Sequence, residues 1–289
     1  MGAARISSVA ALDRVAPQIR TALANPGVIG LSVRVPWRSL EPAKDTYDFS
    51  IFARAREIAG SKQLAIRFMA GRFTPTFRMG HSMVYDGSAT GGSGKGSVVP
   101  LAFGRTGGPN DVFEQGWKRL ANQMVDWASR NSVGLVHMSW PGLLWAELAL
   151  IDQMTRQPGY SYAAARDTHL RLLDHALMRT SSSLRVSFAS TGHAPSQLNA
   201  DISKRLLASP NVQRCYLQAN NLSPTTGATV KAPPPPRRGA QVVGGSNSYD
   251  WAKVYDRVEA MYAENLEVYT TSFSGGTSSA LLREAAAFI

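Results

Sequence analysis

GLSVRVPWRSLEP, spanning Gly30–Pro42, is the stretch whose reading decides the fold. Side chains alternate across a strand, so Gly30, Ser32 and Arg34 share one face while Ile29, Leu31, Val33 and Val35 share the other. Branched residues on one side and small or polar ones on the other suit a barrel wall, the branched face packing on helices and the other pointing inward. Pro36 breaks the strand, and a Trp37 loop closes at Glu41 and Pro42, followed by Tyr47-Asp48-Phe49. A barrel of this kind needs seven more such strands.

Upstream, Ala4–Ser8 reads as a short first strand. Leu12–Leu23 reads as a helix with Val15, Ile19 and Leu23 in register, stopped by Asn25-Pro26-Gly27. Downstream, Asp48 or Ser50 can cap a helix running through Ile58, and Leu64–Met69 is the next strand. Strand, helix and strand with short connections is the signature of a parallel sheet. Phe73–Asn110 is a long excursion with GSATGGSGKGS at its centre, read as a flexible lid or surface insertion. No strand leads into GGSGKGS and no helix leads out, so it fails as a phosphate loop.

The pattern then repeats. Helices are predicted over Asp111–Arg130, Tyr162–Met178, Ser196 or Asn199 to Leu207, Trp251–Tyr262 and Ser278–Phe288. Strands are predicted over Val133–Met138, Leu184–Ala189, Val212–Gln218, Gln241–Val243 and Leu266–Thr271. Ser139–Gly159 and Asn220–Arg238 are long loops, the latter with an extended Pro233–Pro236 run. Eight strands, with helices between all but one pair, predict an α/β chain forming a single (β/α)8 TIM barrel over residues 1–289. Its long loops follow strands three, four and six, and a doubly wound open sheet is the lesser alternative.

Composition narrows the partners. The 289 residues carry a formal net charge of +11, which favours anionic surroundings. The Lys and Arg residues are dispersed, with no basic run interleaved with aromatics, which argues against nucleic acid. No apolar run reaches about 18 residues, so membrane insertion is not expected. The first residues lack the apolar core of a signal peptide. Cys215 is the single cysteine, and His81, His137, His169, His175 and His193 lack ligand spacing, so neither metal nor cofactor is expected.

VRVPWRSLEP and YDFS, followed by a helix and LAIRFMAG with Thr74-Pro75, resemble the second and third strands of clan A glycoside hydrolases of β-galactosidase-like type. The resemblance is specific over Val28–Pro75. In whole-chain style the sequence also looks similar to barrels among the minor tail proteins of actinobacterial phages. The likeness implies an active site at the C-terminal strand ends, with a general acid after the fourth strand and a carboxylate nucleophile after the seventh. Glycoside hydrolysis needs two such acids.

After the fourth strand, HMSWPGLLWAEL offers Glu147, in surroundings apolar enough to raise its pKa. Its other reading is a solvent-facing loop residue, and the family's Asn-Glu strand end is here Met138-Ser139. After the seventh strand, AQVVGGSNSYD has no glutamate, and Asp250 reads as a helix-start residue. Glu267 is the remaining candidate, either as the second catalytic acid or as a core ion pair with Arg34 or Arg67. Arg34, Trp37, Arg67, His137, Trp140, Gln218 and Asn220 are the expected substrate-binding residues, with Trp37, Trp140 and Trp145 stacking on sugar faces and His193 nearby. The expected partner is a polysaccharide or cell-envelope glycan, bound or hydrolysed, plausible in a virion tail beside other tail proteins. The alternative is a non-catalytic structural or receptor-contacting tail barrel.

Overall fold

The structure, a computed structural model, describes residues 6–144, 146–190, 192–222, 237–242 and 251–267. Its centre is a seven-stranded parallel sheet in the order β1 (Gly30–Pro36), β2 (Gln63–Met69), β3 (Leu135–Met138), β4 (Arg185–Ala189), β5 (Cys215–Leu222), β6 (Arg237–Val242) and β7 (Ala263–Glu267). Strand order follows chain order, and parallel neighbours require a crossover each time. Where described, the crossovers are helical: α1 (Val9–Leu23) precedes β1, α2 (Ser50–Ala59) links β1 to β2, and α3 (Asp111–Arg130) links β2 to β3. Likewise α4 (Tyr162–Met178), α5 (Ser196–Leu207) and α6 (Trp251–Ala260) precede β4, β5 and β7.

The sheet is curled. Laid flat, its first and last strands would stand about 29 Å apart, six spacings of about 4.8 Å. Instead Arg34 of β1 and Glu267 of β7 form an ion pair at 3.3 Å. That contact rules out the open doubly wound alternative. Of the predicted first strand, Ala4–Ser8, the first two residues lie outside the described residues. Ile6–Ser8 are described and form no strand, Ser8 instead capping α1 by accepting from the Ala11 N–H, while the backbone N–H of Ile6 donates to the Arg34 carbonyl at 2.9 Å. The predicted final helix and the expected Asn220–Arg238 loop, between Leu222 and Arg237, also fall outside the described residues.

The helix side of the sheet follows the alternation predicted from Gly30–Pro42. Leu31, Val33, Val35, Ile66, Phe68, Val136, Val186 and Phe188 are all buried against it. Trp117 of α3 fills the layer between, edge-on to Phe68 and stacked on Phe188. α3 and α4 are joined by Glu114, whose carboxylate takes bonds from Arg171 at 2.8–3.1 Å and from Lys118 at 2.7 Å. Burial would raise the Glu114 carboxyl, but these cations prevail and hold it low.

Three strand boundaries differ from expectation. β6 starts at Arg237 rather than Gln241, so Arg237 and Arg238 belong to the strand and not to the preceding loop. Val212–Arg214 is a 3-10 turn, so β5 starts at Cys215 and Asn220 lies inside the strand. β7 starts at Ala263, earlier than expected, because AENLE lacks the β-branched residues that mark strands in sequence.

The Phe73–Asn110 excursion is built rather than loose. Ser82–Val84 and Val98–Pro100 pair as an antiparallel ribbon over buried Tyr85, Leu101 and Phe103. Buried Asn110 ties it down, its amide nitrogen within 2.8–3.1 Å of the carbonyls of Met79, His81 and Leu101. Gly80 sits against it at φ +56°, where a Cβ would come within 2.1 Å of the Asn110 oxygen. Only glycine fits there.

Candidate functional site

The inner face of the curled sheet is polar. Adjacent strands place Arg34 beside Arg67, Arg67 beside His137, and His137 beside Ser187. On the far strands Gln241 is level with Glu267. Ser32, Arg34, Arg67, His137, Ser187, Gln218, Gln241 and Glu267 are all buried. Barrel interiors are commonly filled by Val, Ile and Leu, so an ionic floor is a departure that its bonding must support.

Glu267 is the hub. Its Oε1 accepts from Arg34 Nη2 at 3.3 Å, and its Oε2 accepts from Arg67 Nη2 at 3.2 Å and from Gln218 Nε2 at 2.8 Å. Burial alone would raise the carboxyl, but the Arg67 and Arg34 guanidiniums hold it well below the usual carboxylate range. His137 Nδ1 lies 3.0 Å from Arg67 Nη2. A guanidinium has no acceptor, so Nδ1 is the acceptor and the ring proton is on Nε2. Burial, then the Arg67 charge, depresses the imidazole well below its ordinary value. The floor therefore carries two cations, one carboxylate and a neutral ring.

Above the floor, at the C-terminal strand ends, stands Glu147. Gln218 and Asn220 are two residues apart on β5 and so point the same way. Gln218 reaches Glu267, and Asn220 Nδ2 donates to Glu147 Oε1 at 3.3 Å. Glu147 Oε2 accepts from the Ala146 N–H at 3.1 Å, and the side chain is half-buried at the rim. One strand thus brings the two carboxylates into a single polar ladder.

Ser139 occupies the strand end where the resemblance would place an acid. Its hydroxyl accepts from Ala70 N at 3.0 Å, and its carbonyl accepts from Trp117 Nε1 at 2.7 Å. The loop then leaves through Trp140 and returns to Glu147.

The expected sugar-stacking tryptophans are placed elsewhere. Trp37 is fully buried between Phe68 and Phe113, its Nε1 donating to Glu41 at 2.7 Å. Trp140 is fully buried against Phe188, with ring centroids 4.3 Å apart, and donates to the Ala189 carbonyl. Neither offers an open face, because each ring spans the gap between the sheet and its helices or loops. Trp145 lies outside the described residues. His193 is exposed, paired with Ala149 in a two-residue ladder.

Sequence reasoning missed the role of Glu41. It is fully buried, accepts from Trp37 Nε1, from Arg78 Nε at 2.9 Å and from the Asp45 N–H at 3.0 Å. Arg78 also bonds Asp45, which Arg119 bonds in turn. The EP motif is thus the knot that holds the loop after β1. Nothing in the sequence marks Arg78 as its partner, 37 residues away in an irregular loop. Ser187 was legible only through alternation in RVSFA.

Among the described residues no three His, Cys, Asp or Glu side chains are grouped to hold a metal ion, and no helix is long and apolar enough to cross a membrane.

The chain is similar in fold to the catalytic domain of a β-amylase from Paenibacillus polymyxa, with TM-score 0.51, 10% identity, and 99% of this chain and 98% of that one covered. It is similar to a GH18 chitinase from Pseudoalteromonas aurantia, with TM-score 0.51, 10% identity, and 100% and 99% covered. It is also similar to a D-allulose 3-epimerase from Methylomonas sp., with TM-score 0.50, 10% identity, and 99% and 95% covered. No family model and no curated protein sequence matches. At such identity the likeness concerns fold alone, and its breadth from hydrolases to an epimerase shows why fold does not fix chemistry. What these proteins share with the chain is a TIM-barrel architecture with a curled parallel sheet.

Proposed function

We propose that this chain grips a polysaccharide across the C-terminal rim of a barrel of glycoside-hydrolase type, with Glu147 and Asn220 as its polar contacts. The carrying observation is that pair itself, a half-buried carboxylate bonded to a strand-end amide directly above an ionic floor. Carboxylate and amide side chains are the groups that bind sugar hydroxyls. In this reading the chain is one domain and forms a (β/α)8 ring. Arg34, Arg67, His137, Gln218 and Glu267 fix the floor beneath the ligand, and Glu267 acts as their counter-ion. The +11 charge suits a cell-envelope glycan. A place beside other tail proteins in a virion rests on the sequence resemblance alone.

Hydrolysis is the second reading, and one observation favours it. Amides two residues apart on β5 contact the two carboxylates, which sets two acids in one polar ladder, and glycoside hydrolysis needs two. Glu147 would then protonate the leaving oxygen and ionised Glu267 would serve the water. Against this stands the engagement of both Glu267 oxygens by Arg34, Arg67 and Gln218.

Binding and reducing-end release on a panel of neutral and acidic oligosaccharides separate the readings. The parent is expected to bind at least one member, and Asn220→Ala to weaken that binding tenfold or more. Release abolished by Glu147→Gln with folding intact would establish hydrolysis. Binding without release in the parent would leave only the grip, and no binding to any member would end the glycan reading.

A further inference from the structure

The loops after β1 and β2 enclose a cavity of about 570 Å³ on the same strand-end face as Glu147. That volume lies within the range of about 300–1,000 Å³ usual for ligand clefts. It is lined by Arg38, Arg72, Phe73, Thr74 and Phe77, with Val98 of the ribbon at its edge. The Arg38 and Arg72 guanidiniums lie over the ring of Phe73, 5.6 and 4.9 Å from its centroid. Each guanidinium is thus oriented by the same ring at the cavity wall.

Glu41 also lines the cavity, but its carboxylate is already bonded by Arg78, and Asp45 by Arg78 and Arg119. The carboxylate that lines the cavity is thus already engaged, while Arg38 is exposed. Thr74 lines the cavity at 2% exposure, and its hydroxyl meets no hydrogen-bond partner among the described residues. Phe77, 37% exposed, supplies an aromatic surface beside these donors, with the Arg78 guanidinium over its ring at 5.6 Å. Guanidiniums, a hydroxyl and a partly exposed aromatic ring together match a sugar ring carrying an anionic substituent.

We propose that this cavity is a subsite for an acidic glycan, one bearing carboxylate or phosphodiester groups, held by Arg38 and Arg72 with Phe77 against the ring. The anion site stands on its own geometry, and only the word glycan rests on the function proposed above. Arg72 is fixed to the neighbouring rim loop, its N–H donating to the Leu143 carbonyl at 3.0 Å, so the subsite abuts the loop that carries Glu147.

Calorimetric titration of the full chain with four probes tests this: hexagalacturonate, a glycerol-phosphate hexamer, neutral maltohexaose and a single-stranded DNA hexamer. At least one of the two acidic glycan probes should bind at least tenfold tighter than maltohexaose and weaken with added salt. Arg38→Glu, at an exposed position, should remove that preference with an unchanged melting temperature, and Phe77→Ala should weaken acidic-glycan binding severalfold. The two acidic probes distinguish carboxylate from phosphodiester recognition. Equal affinity for acidic and neutral probes, no acidic binding at all, tighter binding of DNA, or a preference that survives Arg38→Glu would each overturn the subsite. A parent that binds acidic and neutral probes equally tightly would remove this subsite and leave the rim reading standing, so the two failures are separately visible.

Discussion

β1 buries both of its faces, and the two are held by different forces. Toward the helices, Leu31, Val33 and Val35 are at most 1% exposed and interlock with Phe68 and Trp37. Toward the axis, Ser32 and Arg34 are nearly as enclosed, and Arg34 shares the Glu267 carboxylate with Arg67. On the outer face any apolar side chain of suitable volume will serve. On the inner face the requirement is charge balance: a buried ion is tolerated only while its partners remain. Substitutions on the two faces should therefore fail in different ways.

The largest effect is expected at the hub. Glu267→Gln keeps the shape but strips Arg34 and Arg67 of their carboxylate. Breaking a buried pair on one side costs about 3–5 kcal/mol, and urea unfolding should register a loss of that size. A loss below about 1 kcal/mol would mean that the floor is well hydrated and that the two faces do not differ.

Acid should act through two buried imidazoles, His137 on the inner face and His169 of α4, which packs on Trp140 in the helix layer. Buried His137 and His169 both have folded pKa values below the ordinary imidazole, His169 down to about 4 through burial. The unfolded chain therefore binds protons that the folded one refuses. Their contribution is fully present above about pH 6.5 and is lost as pH falls toward the folded values. For His169 this amounts to on the order of 3 kcal/mol between pH 6.5 and 4. Glu267 follows at lower pH, since its stabilisation is lost only as pH falls through its depressed pKa. His169→Gln should flatten the fall in stability between pH 6.5 and 4. An unchanged slope would place the acid sensitivity elsewhere.

A smaller effect belongs to the outer face. Val33→Ala removes two methyl groups from a fully buried site, worth about 2 kcal/mol with the cavity left behind. That loss should show no pH dependence between 4 and 8, in contrast to the effect of His169→Gln.

The same division explains what the sequence revealed. Period-two alternation in GLSVRVP and LAIRFM located both faces, because apolar burial is written locally. Arg34 was legible as inward on the same grounds and Glu267 as an ion-pair candidate for Arg34 or Arg67, while Arg67 and His137 themselves were placed only as polar residues near strand ends. Partnership between loops was not legible. Glu41 and Arg78 belong to different loops, and Trp37 and Trp140 looked like rim aromatics because a side chain's enclosure depends on helices far along the chain. β7 was placed late because AENLE has a surface composition, and Asn220 looked like a loop residue because polar strand ends resemble loops. Legibility fell where long-range contacts, rather than periodicity, decide the structure.

The smallest effect on stability is expected where the effect on function should be greatest. Glu147 is half-buried, its only described partners being Asn220 at 3.3 Å and the neighbouring Ala146 N–H. Glutamine at this position retains an oxygen for either donor, so Glu147→Gln should change stability by less than about 0.5 kcal/mol, as surface substitutions usually do. Beside Glu267→Gln the contrast is sharp: two carboxylates on one polar ladder, one fixing the barrel and one free to meet a ligand. A melting temperature that falls as far in Glu147→Gln as in Glu267→Gln would make both carboxylates structural and would remove the rim pair as a site. An unshifted melting temperature with lost glycan binding would assign the floor to folding and the rim to recognition.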